Sequence, residues 1–552
     1  MTKKKPKISV RGKNPNPVLR QHQADAMVCI RKIIHKGAGK GRIVLPTGTG
    51  KTRLEAETVL EIIKHRQKAG EWGGVHVVMS PRILLAYQQL NEFITIIGRT
   101  GLECSYMMVN SGGLNSGDYE RKLLKLGFDH PDEINSTTTT AKIEANFLSA
   151  QNKNIPLVIF STYHSVDRVA TAAENTNVQI ESYICDEAQY CVSVGDFQQV
   201  PLYSARFQFF FTATEKTTDA ADGLGMNNED RFGKLLFTEK PRVLIERGEM
   251  ASIAIHMVGT RGQNMDEDDY ESQARVVIDA FDKHREVMKS HSFSPGAIGP
   301  KMIVVCNKQD ALRGIMRSQV LKAYKLTNQQ VNICALSSDF GIEVNGEVTP
   351  RANSKNKEIL LSKMRQWSSE SEAIVLHIDM IAEGLDVPGI TAVMPFRGLE
   401  KIKFLQNTGR GTRLVDADRD RLYTGAIAPK DWKKYVKPYC WLILPVLSDE
   451  YYDQKRRYTS WIRALRADYG FTSSELVVID NIIGPPEQKM LDDLVGAAGR
   501  RFVTGEDEIR EIIHGIEDQE AMDEFWENVF SFNTMNPDKQ IAMLREIYET
   551  AA

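Results

Sequence analysis

Apolar positions along the chain fall into short, near-continuous runs, separated by stretches in which they recur every three to four residues. Runs at 42–45, 75–79, 157–160, 180–185 and 207–211 predict strands buried on both faces, as a parallel sheet covered by helices requires. Between the first two, Leu54, Val59, Leu60, Ile62 and Ile63 follow helical spacing. The alternation fades between about 110 and 155, where Ser111-Gly112-Gly113 and other polar stretches predict a surface insertion, partly loop. It resumes with strands predicted at 253–258, 302–306, 331–336, 374–378, 390–394 and 440–444, and a helix that the acids Asp266 to Glu271 open. From about 450 the strand signal stops, and Tyr451, Tyr458, Ile462, Leu465 and Tyr469 share a helical face. The reading is α/β: a basic flexible arm (1–15), two tandem parallel-sheet domains (16–245 and 246–450) with a cleft between them, and an α-helical C-terminal domain (451–552).

Composition narrows the class. Hydrophobic content of 42% and charged content of 26% over 552 residues suit a globular protein of several domains. A net charge of −2 gives no whole-molecule field for nucleic acid, so any polyanion footprint is local. The basic start, Lys3 to Arg20, is either a solvated tail or a nucleic-acid contact, and it carries no apolar signal core. No run of membrane-spanning length occurs, and the seven cysteines form no C-x-x-C pair. A reduced, cytoplasmic protein without a membrane partner or Cys-based zinc site is expected.

The chemistry starts at Leu45-Pro46-Thr47-Gly48-Thr49-Gly50-Lys51-Thr52, between a predicted strand and a predicted helix. Glycines let successive N–H groups curl around one anion, and the helix N-terminus adds partial positive charge. Lys51 can reach β- and γ-phosphates, and the Thr52 hydroxyl can sit on Mg²⁺. The structural alternative is a chance Gly-rich turn. A later strand ends in Asp186-Glu187-Ala188-Gln189. Beside a phosphate loop, one such carboxylate can hold a Mg²⁺ shell and the other can activate water; alone the pair would serve as a turn or helix cap.

Here the sequence resembles a family. Asp186 to Gln189 is similar to the DEAD/DEAH-type box of superfamily 2 helicases, in a DEAQ form. Pro46 to Thr52 resembles that superfamily's motif I, in a form that lacks the first Gly of the general pattern. Arg20-Gln21-His22-Gln23 resembles the upstream motif whose Gln reads adenine, and an amide suits both the N7 and N6 of that base. Ser80-Pro81-Arg82, Phe160-Ser161-Thr162-Tyr163 and Thr212-Ala213-Thr214 resemble its later strand-end motifs, the last linking the acidic box to the nucleic-acid side. Ser and Thr at strand ends also serve as ordinary helix caps. Glu383-Gly384-Leu385-Asp386-Val387-Pro388 resembles motif V, and Gln406-Asn407-Thr408-Gly409-Arg410-Gly411-Thr412-Arg413 resembles motif VI, its arginines three apart on one face of a helix start. The resemblance covers about residues 16–415 plus the strand near 440. It is nearest to the motor subunits of type I and III restriction enzymes and to similar phage and repair helicases.

The resemblance implies RecA-like domains and ATP with Mg²⁺ as cofactors. Gln23, Thr47, Gly48, Thr49, Gly50, Lys51, Thr52, Gly384 and Asp386 would contact nucleotide, and Thr52 and Asp186 the metal. Lys51, Asp186, Glu187, Gln406, Arg410 and Arg413 would carry catalysis. Ser80, Arg82, Thr162 and Glu383 would line nucleic acid, with DNA favoured over RNA. Alternatives are an RNA helicase or remodeller, a non-unwinding ATPase that gates a partner nuclease or a replication, repair or defence complex, and a non-catalytic scaffold. The basic and aromatic residues between Lys455 and Tyr469 fit either strand gripping or, as the favoured reading, packing of a helix on the second motor domain.

Overall fold

The computed structural model describes residues 18–110, 135–193, 195–218, 223–259, 269–291, 298–306, 308–337, 341–349, 367–368, 370–378, 389–396, 401–446, 461, 465 and 477–481. The chain divides into two units, Met1–Glu239 and Lys240–Ala552.

In the first unit the elements run α1 (Gln21–His35), β1 (Gly39–Val44), α2 (Lys51–Lys68), β2 (Val75–Ser80), α3 (Ile83–Arg99), β3 (Ser105–Val109) and β4 (Asn135–Thr137). They continue with α4 (Thr140–Lys153), β5 (Leu157–Thr162), α5 (Val166–Thr176), β6 (Ile180–Cys185), β7 (Phe207–Thr212) and β8 (Lys234–Thr238). The eight strands lie in the order β4-β3-β5-β2-β6-β7-β1-β8 and pair in parallel throughout. Every residue of β2, β5, β6 and β7 is buried, so both sheet faces are covered and continuous apolar runs are what these strands need. The two-residue period shows in β7. Phe207, Phe209 and Phe211 join the core beneath α1, α2 and α3, while Phe210 faces the opposite core and meets Phe232 edge-on at 5.0 Å.

Part of the segment expected as a surface insertion is built into the sheet. β4 pairs with β3, and α4 buries Ile143, Phe147 and Ala150 at helical spacing. Only three apolar positions in fourteen residues hold that helix down, which is why it read as loop. Residues 111–134 lie outside the described residues.

The second unit contains β9 (Ser252–Gly259), α6 (Tyr270–His291), β10 (Lys301–Val305), α7 (Gln309–Arg317), α8 (Gln319–Thr327), β11 (Val331–Ser337), β12 (Gly341–Val344) and β13 (Glu347–Thr349). After these come β14 (Glu372–His377), β15 (Ala392–Pro395), α9 (Lys401–Gly411), α10 (Asp416–Tyr423), β16 (Tyr439–Val446) and β17 (Val477–Asn481). Its sheet has the order β13-β12-β11-β14-β10-β15-β16-β9-β17, parallel except for the β11-β12-β13 meander.

β17 corrects the expectation of an all-helical region after 450. Val477-Val478-Ile479 is β-branched and pairs in parallel with β9, adding an edge to the second sheet. Trp461 is buried and stacks on Phe404 of α9, with ring centroids 5.0 Å apart and planes 4° from parallel. For Trp461 the packing reading therefore holds. The basic residues around it, the remainder of 482–552 and the arm 1–15 lie outside the described residues.

Candidate nucleotide site

β1 lies inside the first sheet, between β7 and β8, and the chain leaves it through Leu45–Gly50 into α2. Gly48 (φ 86°) and Gly50 (φ 82°) take the left-handed conformation that the curl requires. The first turn of α2 has no acidic residue, so its dipole favours an anion there. Lys51 is buried and its Nζ donates to Leu45 O at 3.3 Å, spanning the loop from inside. Thr49 Oγ1 donates to Pro46 O at 2.7 Å.

The first turn of α1 braces this loop. The Gln23 amide donates to Thr49 O at 3.1 Å and Gly50 O at 3.3 Å, and its Oε1 accepts the Arg20 N–H at 3.1 Å. His22 Nε2 lies 2.9 Å from Thr49 O. Gln23, the expected adenine reader, braces the loop in this structure through both oxygen and nitrogen of its amide. A Cβ on Gly50 would come within 2.6 Å of Gln23 Nε2. Gly50→Ala should therefore weaken nucleotide binding at least tenfold by titration with a fluorescent ADP. It combines that clash with a left-handed backbone cost of roughly 1–2 kcal/mol. An unaltered affinity would show that the loop geometry is dispensable.

The acids sit where β6 ends. The Asp186 N–H donates to Met79 O at 2.9 Å, and Tyr163 OH donates to Asp186 O at 2.7 Å, so the turn is pinned on both sides. Glu187 adopts φ 51°, an uncommon conformation for a Glu and a cost that functional turns often carry. Its N–H donates to Asp186 Oδ1 at 2.9 Å. Gln189 Nε2 donates to Glu187 Oε2 at 2.8 Å, and the Thr212 hydroxyl lies 2.6 Å from Gln189 Oε1. The Thr214 N–H donates to that hydroxyl at 3.1 Å. The acidic box and the 212–214 turn are therefore one hydrogen-bonded relay.

Two residues that sequence reasoning missed complete the site. Glu55, one turn after Lys51 on α2, is fully buried, and Gln89 of α3 donates to Glu55 Oε2 at 3.2 Å and to Asp186 Oδ2 at 3.1 Å. Burial pushes the Glu55 carboxyl well above the usual range, and the charge of Asp186 adds to the effect. Burial, then the neighbouring Glu187, pushes Asp186 up to about 6, with Lys51 opposing. Each carboxyl thus disfavours ionisation of the other. The signal in the sequence was available: Glu55 keeps helical register with Val59 and Ile62 on the buried face of α2.

These donors suit ATP and Mg²⁺. Among the described residues no three or more His, Cys, Asp or Glu are grouped to hold a metal unaided. Mg²⁺ does not need such a cage, since it takes one or two carboxylates with water and phosphate oxygens. A buried, crowded Asp186 beside Lys51 is stabilised by an added cation, and Thr52 follows at the second position of α2.

The remaining candidates are distributed unevenly. Ser80 is fully buried and its hydroxyl donates to Arg82 O at 3.2 Å, while Thr162 is buried with its hydroxyl donating to Ser165 Oγ at 3.2 Å. Both make the local turn bonds that Ser and Thr favour. Arg82, preceding α3, is exposed. Glu383, Gly384 and Asp386 lie outside the described residues. Gln406 and Arg410 are buried on α9, but Arg410 stands in its last turn and Arg413 two residues beyond it. The arginines thus mark a helix end, not the helix start expected. Lys437, buried and pushed down to about 8 by that burial, donates from Nζ to Gly411 O and, at 2.6 Å, to Arg413 O. The carboxylate of Asp418 accepts the N–H groups of Val436 at 2.7 Å and Lys437 at 2.8 Å.

Residues 16–217 match the family described as type III restriction enzyme, res subunit. No curated protein matches the chain. Among solved structures, the ATP-dependent type ISP restriction-modification enzyme LlaBIII bound to DNA is similar at TM-score 0.59 and 15% identity, over 96% of this chain and 34% of that one. A nuclease-deletion mutant of the type ISP enzyme LlaGI with a DNA substrate mimic matches at 0.50 and 16%, over 88% and 32%. A fragment described as an HsdR subunit of a type I restriction enzyme from Vibrio vulnificus YJ016 matches at 0.50 and 16%, over 85% and 70%. The chain spans about a third of the length of the first two. At these identities the likeness is one of fold.

Proposed function

We propose that the chain is a superfamily 2 ATP-driven motor that moves on or unwinds DNA. The observation that carries this reading is the buried constellation of Lys51, Asp186 and Glu187 at the ends of β1 and β6, tied through Gln189 to Thr212. A merely structural turn has no need of two buried adjacent acids against one lysine. Lys51 would leave Leu45 O for the β- and γ-phosphates, and Thr52 and Asp186 would hold Mg²⁺. Bound Mg²⁺ would neutralise phosphate charge. Glu187, oriented by Gln189, would take a proton from the attacking water, a contribution of about 10² to 10⁴ in rate. Gln406, Arg410 and Arg413 would stabilise the charge that develops on the phosphate, and Gly384 and Asp386 would contact nucleotide. Hydrolysis would drive steps along a nucleic-acid strand, with Arg82 and Glu383 as its expected contacts.

DNA is favoured over RNA because two of the similar structures contain DNA or its mimic. A protein partner such as a nuclease or a replication, repair or defence component belongs to the reading. Displacement of a third strand from a DNA triplex reports translocation, and displacement of a duplex strand reports unwinding. ATP-dependent activity in either assay is the expected result. Absence of both, with hydrolysis still stimulated by DNA, would replace the motor by an ATPase gate.

A further inference from the structure

We propose that Gln89 is a positioning residue through which α3 couples nucleic-acid binding at Arg82 to the acid end of β6. The inference rests on the functional reading above. The Gln89 side chain is almost completely buried, and its single NH₂ group serves Asp186 Oδ2 at 3.1 Å and Glu55 Oε2 at 3.2 Å. Three elements meet there: α3 through Gln89, the phosphate-loop helix α2 through Glu55, and the end of β6 through Asp186. With two hydrogens and two acceptors, the amide fixes both carboxyls at once.

The same helix begins beside an exposed arginine. The Ala86 N–H donates to Arg82 O at 3.1 Å, so the backbone of Arg82 is tied into the first turn of α3. Gln89 follows seven residues later, about two turns or roughly 10 Å along the axis. Leu85, Ala86, Leu90, Phe93, Ile94 and Ile97 are buried between those turns and beyond. A helix so packed shifts as a body and does not bend locally. Displacement at its first turn is therefore felt at Gln89. The polar network can respond, because Gln89 Oε1 is shut off from solvent without a hydrogen-bond partner among the described residues. A half-satisfied buried network is sensitive to small changes in donor position.

The test uses the full chain and Gln89→Met, which keeps length and burial but removes the amide. Two quantities are read: the Mg²⁺ concentration giving half-maximal binding of a fluorescent ADP without nucleic acid, and the ratio of ATP hydrolysis with duplex DNA to that without. We expect the Mg²⁺ midpoint to rise about fivefold and the stimulation ratio to fall about as much, the scale of one lost buried hydrogen bond. ADP affinity at saturating Mg²⁺ should stay as in the native chain. Gln89→Asn, which keeps the amide but withdraws it by one methylene, should shift both in the same direction and serves if the Met variant fails to fold. A native Mg²⁺ midpoint and a native ratio in a folded variant would overturn the inference alone. A native chain that DNA does not stimulate would overturn the functional reading and this inference with it.

Discussion

Glu187→Gln should abolish ATP turnover and leave nucleotide binding intact. The carboxylate is buried and its orientation is set twice, by the left-handed backbone at Glu187 and by Gln189 Nε2 at 2.8 Å from Oε2. Glutamine has the same shape and its amide oxygen can still accept from Gln189, so the turn and the adjoining Thr212 relay persist. Only the capacity to take a proton is lost. General-base catalysis contributes about 10² to 10⁴ in rate, or roughly 3–5 kcal/mol of barrier. The check is steady-state phosphate release alongside fluorescent-ADP titration. Turnover at the native rate would remove Glu187 from the role of base.

The second large effect is expected at the arginines. Arg410→Ala and Arg413→Ala should each lower turnover at least tenfold, within a range that reaches about 10³ to 10⁵ for a full arginine finger. Their backbone is held for such a role. Lys437 bonds the carbonyls of Gly411 and Arg413, and Asp418 bonds the backbone of Lys437 in turn. Arg413→Lys should recover little, because an ammonium keeps the charge but not the planar fork that meets two phosphate oxygens. Melting temperature separates chemistry from folding: a finger changes turnover with the melting curve in place. Lower yield or melting temperature with native turnover would make these residues structural.

The sheets were legible in the sequence because their central strands are buried on both faces. Val75 to Ser80 and Phe207 to Thr212 have no solvent side to interrupt the apolar run. Elements at the rim were not. β8 exposes most of its length and β3 has only three fully buried positions, so neither carries a continuous signal. α4 holds to the sheet by three side chains, and β17 lies in a segment whose surroundings read as helix.

The site divides in the same way. Lys51, Asp186 and Glu187 were legible because their neighbours in sequence set their geometry, Lys51 at the start of α2 and the acids just after β6. Glu55 and Gln89 meet Asp186 only through tertiary packing, with Gln89 separated from its two partners by 34 and 97 positions. No local pattern encodes such a contact. The hydroxyls of Ser80 and Thr162 could not be placed from sequence for a related reason: strand-end hydroxyls look alike there whether they face a ligand or close their own turn.

The central claim is that the loop at Leu45–Thr52 belongs to an ATP-driven nucleic-acid motor. Its most direct test is Mg²⁺-dependent ATP hydrolysis by the full chain, measured alone and with single-stranded DNA, duplex DNA or RNA. The account predicts slow hydrolysis alone, strong stimulation by DNA and weaker stimulation by RNA. Hydrolysis indifferent to every polymer, or no hydrolysis at all, would contradict it.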